Sequence, residues 1–205
     1  MRFLSKFGSL VSFLLRGGPE QTVGKHWLFR THTRLFKRFM LEHRIEIERR
    51  DDFTYMYVDG KPFVWPAKAN VDALEHLLSE LLTRNHPHQY EYGPTIIGSG
   101  DVVLDIGCCE GGFAAHAAEA GATVIAVEPS EQMGGVIKRL FEIRGLPEPE
   151  IRRCLLGARS GAAWFLDNMQ DPTRSKISDR EIPGSDLLPL ITLDELIPTL
   201  STRPT

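Results

Sequence analysis

Residues 102–130 contain three features whose residue types and spacing suit the binding of a ligand. Asp105 ends one apolar run, the turn Gly107-Cys-Cys-Glu-Gly111 follows it, and Glu128 ends a second apolar run. Glycines at these two turn positions permit positive φ and a close approach of the backbone to a ligand. A helix that opens after the turn presents free N–H groups, and an acidic residue at the end of the second strand can accept hydrogen bonds from ribose hydroxyls. The pattern predicts a site for an adenosine-like ligand.

The spacing within the turn separates this site from two other nucleotide-binding loops. A nicotinamide dinucleotide loop has the spacing G-x-G-x-x-G, and a Walker loop has Lys followed by Ser or Thr. Here the spacing is D-x-G-x-x-x-G, and no such Lys follows the glycines. The negative charge of Asp105 disfavours a pyrophosphate and favours a cationic ligand. S-adenosylmethionine carries a ribose, a sulfonium and an amino group but no phosphate, so it is the cofactor that we expect.

The elements that position these residues follow from the apolar periodicity. Apolar runs predict buried strands that alternate with two helices, which lie at about 113–120 and 130–144. The strands are expected at 101–106, 122–128, 151–157 and, as a short extra one, 162–166. This alternation is typical of an α/β fold with a Rossmann-like parallel sheet, here partial, with about three strands plus helices.

A helical and β-meander N-terminal region precedes the sheet. Residues 44–66 alternate in the manner of a small antiparallel meander, and 70–84 predict a strongly amphipathic helix. Further upstream, amphipathic helices are predicted over 2–16 and about 22–42. We therefore expect three regions, which are a basic helical segment at 1–43, an N-terminal cap at 44–100 and an incomplete Rossmann-like domain at 101–205.

The charge is distributed unevenly along the chain. Residues 1–50 carry a net charge of +7 and the remaining 155 carry −10, although the whole chain is only −3. We favour a basic helical cap that packs on its own domain, and the alternative is peripheral contact of residues 1–42 with an anionic membrane or with a partner. The aromatic residues of this basic region are spaced for packing rather than as a stacking platform, so we expect no nucleic-acid partner.

A family resemblance is carried by the stretch VVLDIGCCEGGFAAHAAEAGATVIAVEPS. It resembles the first two motifs of class I S-adenosylmethionine-dependent methyltransferases and, more narrowly, the FkbM family. The later order of a third strand, Gly157-ARSGAAWF and Ile191-TLDEL matches that family as well, so the resemblance covers about 90–205. It implies a set of cofactor-binding residues, namely Asp105, Gly107, Cys108, Cys109, Gly111, Glu128 with Pro129 after it, and Glu91 with Tyr92 before the first strand.

The sequence departs from the FkbM pattern in the turn and near its C-terminus. Cys108-Cys109 stand where the family usually has Ala-Asn, and Glu110 replaces an apolar residue, which predicts weaker cofactor binding. The family's strand four follows the Thr-Leu-Asp-Glu-Leu stretch, but no such segment occurs before Thr205. We therefore expect a truncated chain whose first parallel strand is an unpaired apolar edge, completed by a partner chain.

The resemblance implies a methyltransferase that methylates a hydroxyl of a sugar or natural product, so the partner is a small-molecule or glycan acceptor. The sequence identifies no catalytic base, and inactivity of the truncated chain stays open. The alternative is a non-catalytic cofactor-binding or interaction module that docks a membrane or a partner protein. A nucleotide-dependent oxidoreductase is disfavoured because the G-x-G-x-x-G spacing is missing.

The cysteines and histidines of the sequence indicate where in the cell the protein is expected and whether it binds a metal. Three cysteines, two of them adjacent, do not make a disulfide framework, so we expect a cytoplasmic protein, with membrane association as the alternative. Without 18 consecutive apolar residues no transmembrane helix is expected, and residues 2–16 are interpreted as a helix rather than a leader. We interpret His86-Pro-His88 as a surface turn and His116 as a surface helical residue, and expect no metal site.

Overall fold

The computed structural model describes residues 23–91 and 94–205. The helix predicted over 2–16, and Tyr92, therefore lie outside the described residues. The chain divides into two compact units at the bond between Glu42 and His43. In the first unit, helix α1 spans Val23–Glu42 and confirms the helix predicted there. Its last turn carries an exposed ion pair of 2.8 Å between Arg38 and Glu42.

The second unit begins with a three-stranded antiparallel meander. Its strands, in the order β1-β2-β3, are β1 (Ile45–Arg50), β2 (Phe53–Val58) and β3 (Lys61–Pro66). Asp59 and Gly60 both have positive φ, 51° and 83°, as a tight two-residue hairpin turn requires. The meander predicted at 44–66 is confirmed, and its inner face buries Trp65 completely.

Helix α2 (Val71–Leu82) follows the meander. It begins after Asn70, whose side chain accepts a hydrogen bond from the backbone N–H of Asp72 at 3.1 Å. Leu74 and Leu78 lie on one face at a spacing of four and are both fully buried, which confirms the amphipathic helix expected at 70–84.

The parallel sheet confirms the α/β, Rossmann-like fold class. Strands and helices alternate along the chain as β4 (Val102–Ile106), α3 (Gly112–Glu119), β5 (Thr123–Val127), α4 (Glu131–Ile143) and β6 (Glu150–Arg152). All pairings in the order β4-β5-β6 are parallel, and Ile106 lies opposite Val127, which lies opposite Arg152. The carboxyl ends of the three strands therefore meet at one edge of the sheet.

The third predicted strand, 151–157, is wrong as a single element. The chain leaves the parallel sheet after β6, and Cys154 becomes buried in a cluster with Val127 and Leu196. Leu155–Leu156 then form β7 in a separate four-stranded sheet. That sheet has the order β7-β10-β8-β9, with β8 (Gly161–Leu166), β9 (Lys176–Ser178) and β10 (Asp186–Ile191). One apolar run thus contributes to two sheets.

The edge of the parallel sheet at β4 carries a contact from the C-terminal segment. The backbone N–H of Thr205 donates to the carbonyl of Val102 at 3.2 Å, and Val102 N–H donates to the Thr205 hydroxyl at 3.1 Å. Helix α5 (Leu193–Leu196) precedes this segment, capped by reciprocal bonds between Thr192 and Glu195. The expectation that the first parallel strand is an unpaired edge is therefore wrong at its start, where Val102 bonds to Thr205.

Candidate cofactor site

The turn between β4 and α3 has a backbone conformation that favours glycine at two of its positions. Gly107, Cys109 and Gly111 have positive φ values of 74°, 48° and 75°. A Cβ at Gly111 would lie 3.0 Å from Cγ1 of Ile137, so both backbone conformation and space favour glycine there. Gly107 N–H donates to the Val127 carbonyl at 2.9 Å, which fastens the turn to the end of β5.

Glu128 joins the turn to the start of α4. Its Oε2 accepts a hydrogen bond from the backbone N–H of Cys109, and its Oε1 accepts one from that of Ser130, both at 2.9 Å. The side chain is only 6% exposed. Burial raises the pKa of Glu128, and the two backbone N–H groups act in the opposite direction. The structure thus brings the glycine turn and Glu128 together, as the sequence predicts. Both carboxylate oxygens of Glu128 are bonded to backbone N–H groups.

Asp105 presents an oxygen that lacks a partner. Its Oδ2 is buried and has no hydrogen-bond donor among the described residues. Burial raises the pKa of Asp105, and the neighbouring Cys108 thiol lowers it by hydrogen bonding. Buried polar atoms in native proteins nearly always have partners, so this oxygen fits a ligand that carries a donor or a positive charge.

Glu110 occupies the beginning of α3. It is buried, and a Cβ at Gly112 would come within 2.7 Å of its Oε1. Burial raises the pKa of Glu110 to about 7, while the backbone N–H groups of Glu110 and Gly112 favour its charged form. The carboxyl therefore uses N–H groups that sequence analysis left free for a ligand. The sequence showed that Glu110 replaces an apolar residue of the FkbM pattern. It did not predict that the carboxyl would bond to N–H groups at the start of α3.

The adjacent cysteines of the turn are neutral thiols. Burial and nearby carboxylates raise the pKa of both Cys108 and Cys109 well above the usual range. They therefore act as small side chains at neutral pH rather than as thiolate nucleophiles. Within residues 23–91 and 94–205, no group of three or more His, Cys, Asp or Glu is arranged to hold a metal ion.

Glu91 bonds to α3 and to its own loop. Its Oε2 lies 2.7 Å from Nε2 of His116, and its Oε1 accepts from the backbone N–H of Ile97 at 2.8 Å. These contacts lower the pKa of Glu91, the Ile97 N–H most strongly. The role of Glu91 near the cofactor stays a prediction. Pro129 contributes a carbonyl that accepts from Arg153 Nε at 3.1 Å.

The structure of His86 and Tyr90 was not predicted from the sequence. His86 is buried rather than at the surface, and its ring lies edge-to-face on that of His88 with 5.3 Å between centroids. Tyr90 stacks on Phe113 of α3 with 4.2 Å between centroids, a contact that residue spacing does not reveal.

Comparison with known protein families gives a match that includes the candidate cofactor site. Residues 104–156 match a family described as a methyltransferase domain, and the match includes the glycine turn and Glu128. Domains of that family bind S-adenosylmethionine as the methyl donor, which is the expected cofactor. No curated protein matches the chain. None of the described helices combines the length and apolar character needed to cross a membrane.

Proposed function

We propose that this protein is an S-adenosylmethionine-dependent methyltransferase. The observation that carries the proposal is the 2.9 Å hydrogen bond from Cys109 N–H to Glu128 Oε2. It joins the turn after β4 to the acidic residue after β5, at the carboxyl edge where open α/β sheets bind their ligands. The methyltransferase-domain match over 104–156 covers both partners.

The residues at this edge fit the cofactor. The unpartnered Oδ2 of Asp105 suits a cationic group or an N–H donor, and a Cβ at Gly107 would meet nothing within 4 Å, so the backbone there is open to a ligand. A carboxylate oxygen has two lone pairs, so Glu128 retains acceptor capacity for ribose hydroxyls beside its backbone bonds. When bound, the cofactor supplies a methyl group activated by its sulfonium.

For the acceptor, we propose a hydroxyl of a sugar or another natural product. This part of the proposal rests on the resemblance of about 90–205 to the FkbM family, and it covers small-molecule and glycan acceptors. A hydroxyl acceptor also requires a base that removes its proton. Peripheral membrane contact through residues 1–42, and a partner chain at the edge of β4, belong to the same proposal.

A non-catalytic cofactor-binding module is the second candidate. It remains a candidate because the sequence identifies no catalytic base to remove the proton of an acceptor hydroxyl. The two candidates share the cofactor site and differ in whether a methyl group is transferred.

Calorimetric titration of the 205-residue chain with S-adenosylhomocysteine tests the shared site. Asp105→Ala and Glu128→Ala should each abolish saturable binding, whereas Glu131→Ala, which removes an exposed carboxylate at the start of α4, should leave it unchanged. Circular dichroism confirms that each variant is folded. A folded wild-type chain without binding would contradict both candidates.

Transfer is then measured with S-adenosylmethionine that carries a radiolabelled methyl group and a panel of sugar and phenolic acceptors. Incorporation of label that disappears in Asp105→Ala supports the methyltransferase. Tight binding without incorporation into any acceptor supports the non-catalytic module.

A further inference from the structure

A pocket of about 270 Å³ lies in the second unit, between β3, the C-terminal end of α2 and α3. Asp105 and Glu128 do not line it, but Glu91, one of the predicted cofactor-binding residues, does, so the pocket borders the candidate cofactor site. Its lining combines cationic, aromatic and polar side chains, among them Lys61, Thr83, Arg84, Tyr90, Glu91 and Phe113.

Thr83 supplies an unused hydrogen-bonding group in the pocket wall. The residue is 7% exposed, and its Oγ1 is buried with no partner among the described residues. A buried hydroxyl without a partner costs free energy, so such atoms are uncommon in native structures. A ligand with a hydrogen-bond acceptor would satisfy it.

Positive charge predominates in the pocket lining. Lys61, Arg84 and Arg144 contribute three cations, against one carboxylate from Glu91. Both oxygens of Glu91 already have partners, His116 and the Ile97 N–H. Glu119 pairs with both Lys61 and Arg144 from outside the lining, at 2.5 and 3.2 Å. With Glu119 counted, three cations face two carboxylates, and the remaining positive charge, on Arg84, is complementary to an anion.

Arg84 is the cation best placed to bind a ligand. It lies two residues after the end of α2, is exposed, and forms no ion pair with any residue in the described ranges. Arg144, by contrast, is held by the Pro62 carbonyl at 2.7 Å and lies over the Phe63 ring. Lys61 is paired with Glu119 at 2.5 Å, so Arg84 is the adjustable charge of the pocket.

An aromatic surface completes the lining. Tyr90 and Phe113 stack with an interplanar angle of 20°, and Tyr90 is 60% exposed. Exposed aromatic rings offer a flat apolar surface on which another ring can pack.

We propose that this pocket binds a small aromatic anion. Arg84 holds its carboxylate or phosphate, the Thr83 hydroxyl donates a hydrogen bond to it, and its ring packs against Tyr90. The proposal goes beyond methyl transfer, because the groups that hold the anion, Arg84 and Thr83, are not among the predicted cofactor-binding residues.

Calorimetric titration of the full chain tests the proposal with four probes, which are phenyl phosphate, benzoate, inorganic phosphate and benzylamine. We expect saturable binding of phenyl phosphate or benzoate, weaker binding of inorganic phosphate, and none of benzylamine. Whichever aromatic anion binds more tightly identifies the anionic group. Failure of a folded chain to bind either aromatic anion, or equal binding of benzylamine, would overturn the proposal.

Variants separate this pocket from general electrostatic attraction and from the cofactor site. Arg84→Gln and Thr83→Val should each weaken the bound probe by about tenfold, as expected for a lost hydrogen bond to a charged group. Thr83→Val should at the same time leave thermal stability unchanged or raise it, because an unpaired hydroxyl is removed. Lys138→Gln, an equal loss of charge on α4, should leave probe binding unchanged, and Arg84→Gln should leave the binding of S-adenosylhomocysteine unchanged. Equal weakening in Lys138→Gln would overturn the proposal.

Discussion

The backbone N–H of Cys109 donates to Oε2 of Glu128 at 2.9 Å, across the carboxyl ends of β4 and β5. One hydrogen bond thereby joins residues that are 19 positions apart. The second oxygen of the same carboxylate accepts a hydrogen bond from the N–H of Ser130, the residue before α4. The acidic residue therefore has a structural task in addition to its proposed role in ribose binding.

Glu128→Gln should weaken both folding and ligand binding. The amide presents only one acceptor oxygen, so the N–H of Cys109 or of Ser130 loses its partner, at a cost of about 1–3 kcal/mol in the free energy of unfolding. Urea denaturation measures this loss, and titration with S-adenosylhomocysteine measures the accompanying fall in affinity. Glu131→Gln on the exposed face is the matched control. A Glu128→Gln protein as stable as wild type would show that the two bonds contribute little.

Stability should fall as pH rises toward neutrality because of Glu110. Its pKa is raised to about 7 in the folded chain, above the ordinary value of 4.5, so the folded state binds more protons than the unfolded state between these values. The contribution is therefore fully present below about pH 4.5 and is lost as pH rises through about 7. Glu110→Gln should stabilise the protein more at pH 8 than at pH 5, which melting temperatures across this range would measure. An equal effect at both pH values would contradict the raised pKa.

Gly111→Ala should destabilise the protein, whereas Gly134→Ala should not. At Gly111 a positive φ of 75° and a contact of 3.0 Å to Ile137 Cγ1 both oppose a side chain, and the backbone conformation alone costs about 1–2 kcal/mol. Gly134 lies inside α4 with nothing within 4 Å of an added Cβ, so alanine there should stabilise the helix by about 0.5–1 kcal/mol. Chemical denaturation of the two variants compares them directly, and the same sign for both would contradict the geometry.

Alkylation by iodoacetamide should be slow at all three cysteines of the native protein. Burial raises the pKa of Cys108, Cys109 and Cys154, so few thiolates form at pH 8. In denaturant the three should react at the rate of a free thiol. Mass spectrometry of labelled peptides resolves the sites, and rapid native labelling of Cys108 would argue against its burial.

Local patterns explain what could be predicted from the sequence. The Asp59-Gly60 turn, the helix that buries Leu74 and Leu78, and the glycine turn all depend on backbone preferences and apolar spacing within a few residues. The division of the predicted third strand at Cys154 was not predictable, because a continuous apolar run does not specify the sheet in which each part pairs. The burial of His86 also escaped prediction, because a histidine in a polar turn is expected at the surface.

The sequence by itself determined the α/β order of elements and the place of the glycine turn between two strands, because periodicity and positive φ are local properties. Only the tertiary structure decided which groups satisfy the oxygens of Glu128, which oxygen of Asp105 lacks a partner, and that the Glu110 carboxyl lies at the start of α3. It also decided that the Thr83 hydroxyl is left unpaired beside a cationic pocket. These outcomes depend on contacts and desolvation between segments distant in the chain, which no local pattern encodes.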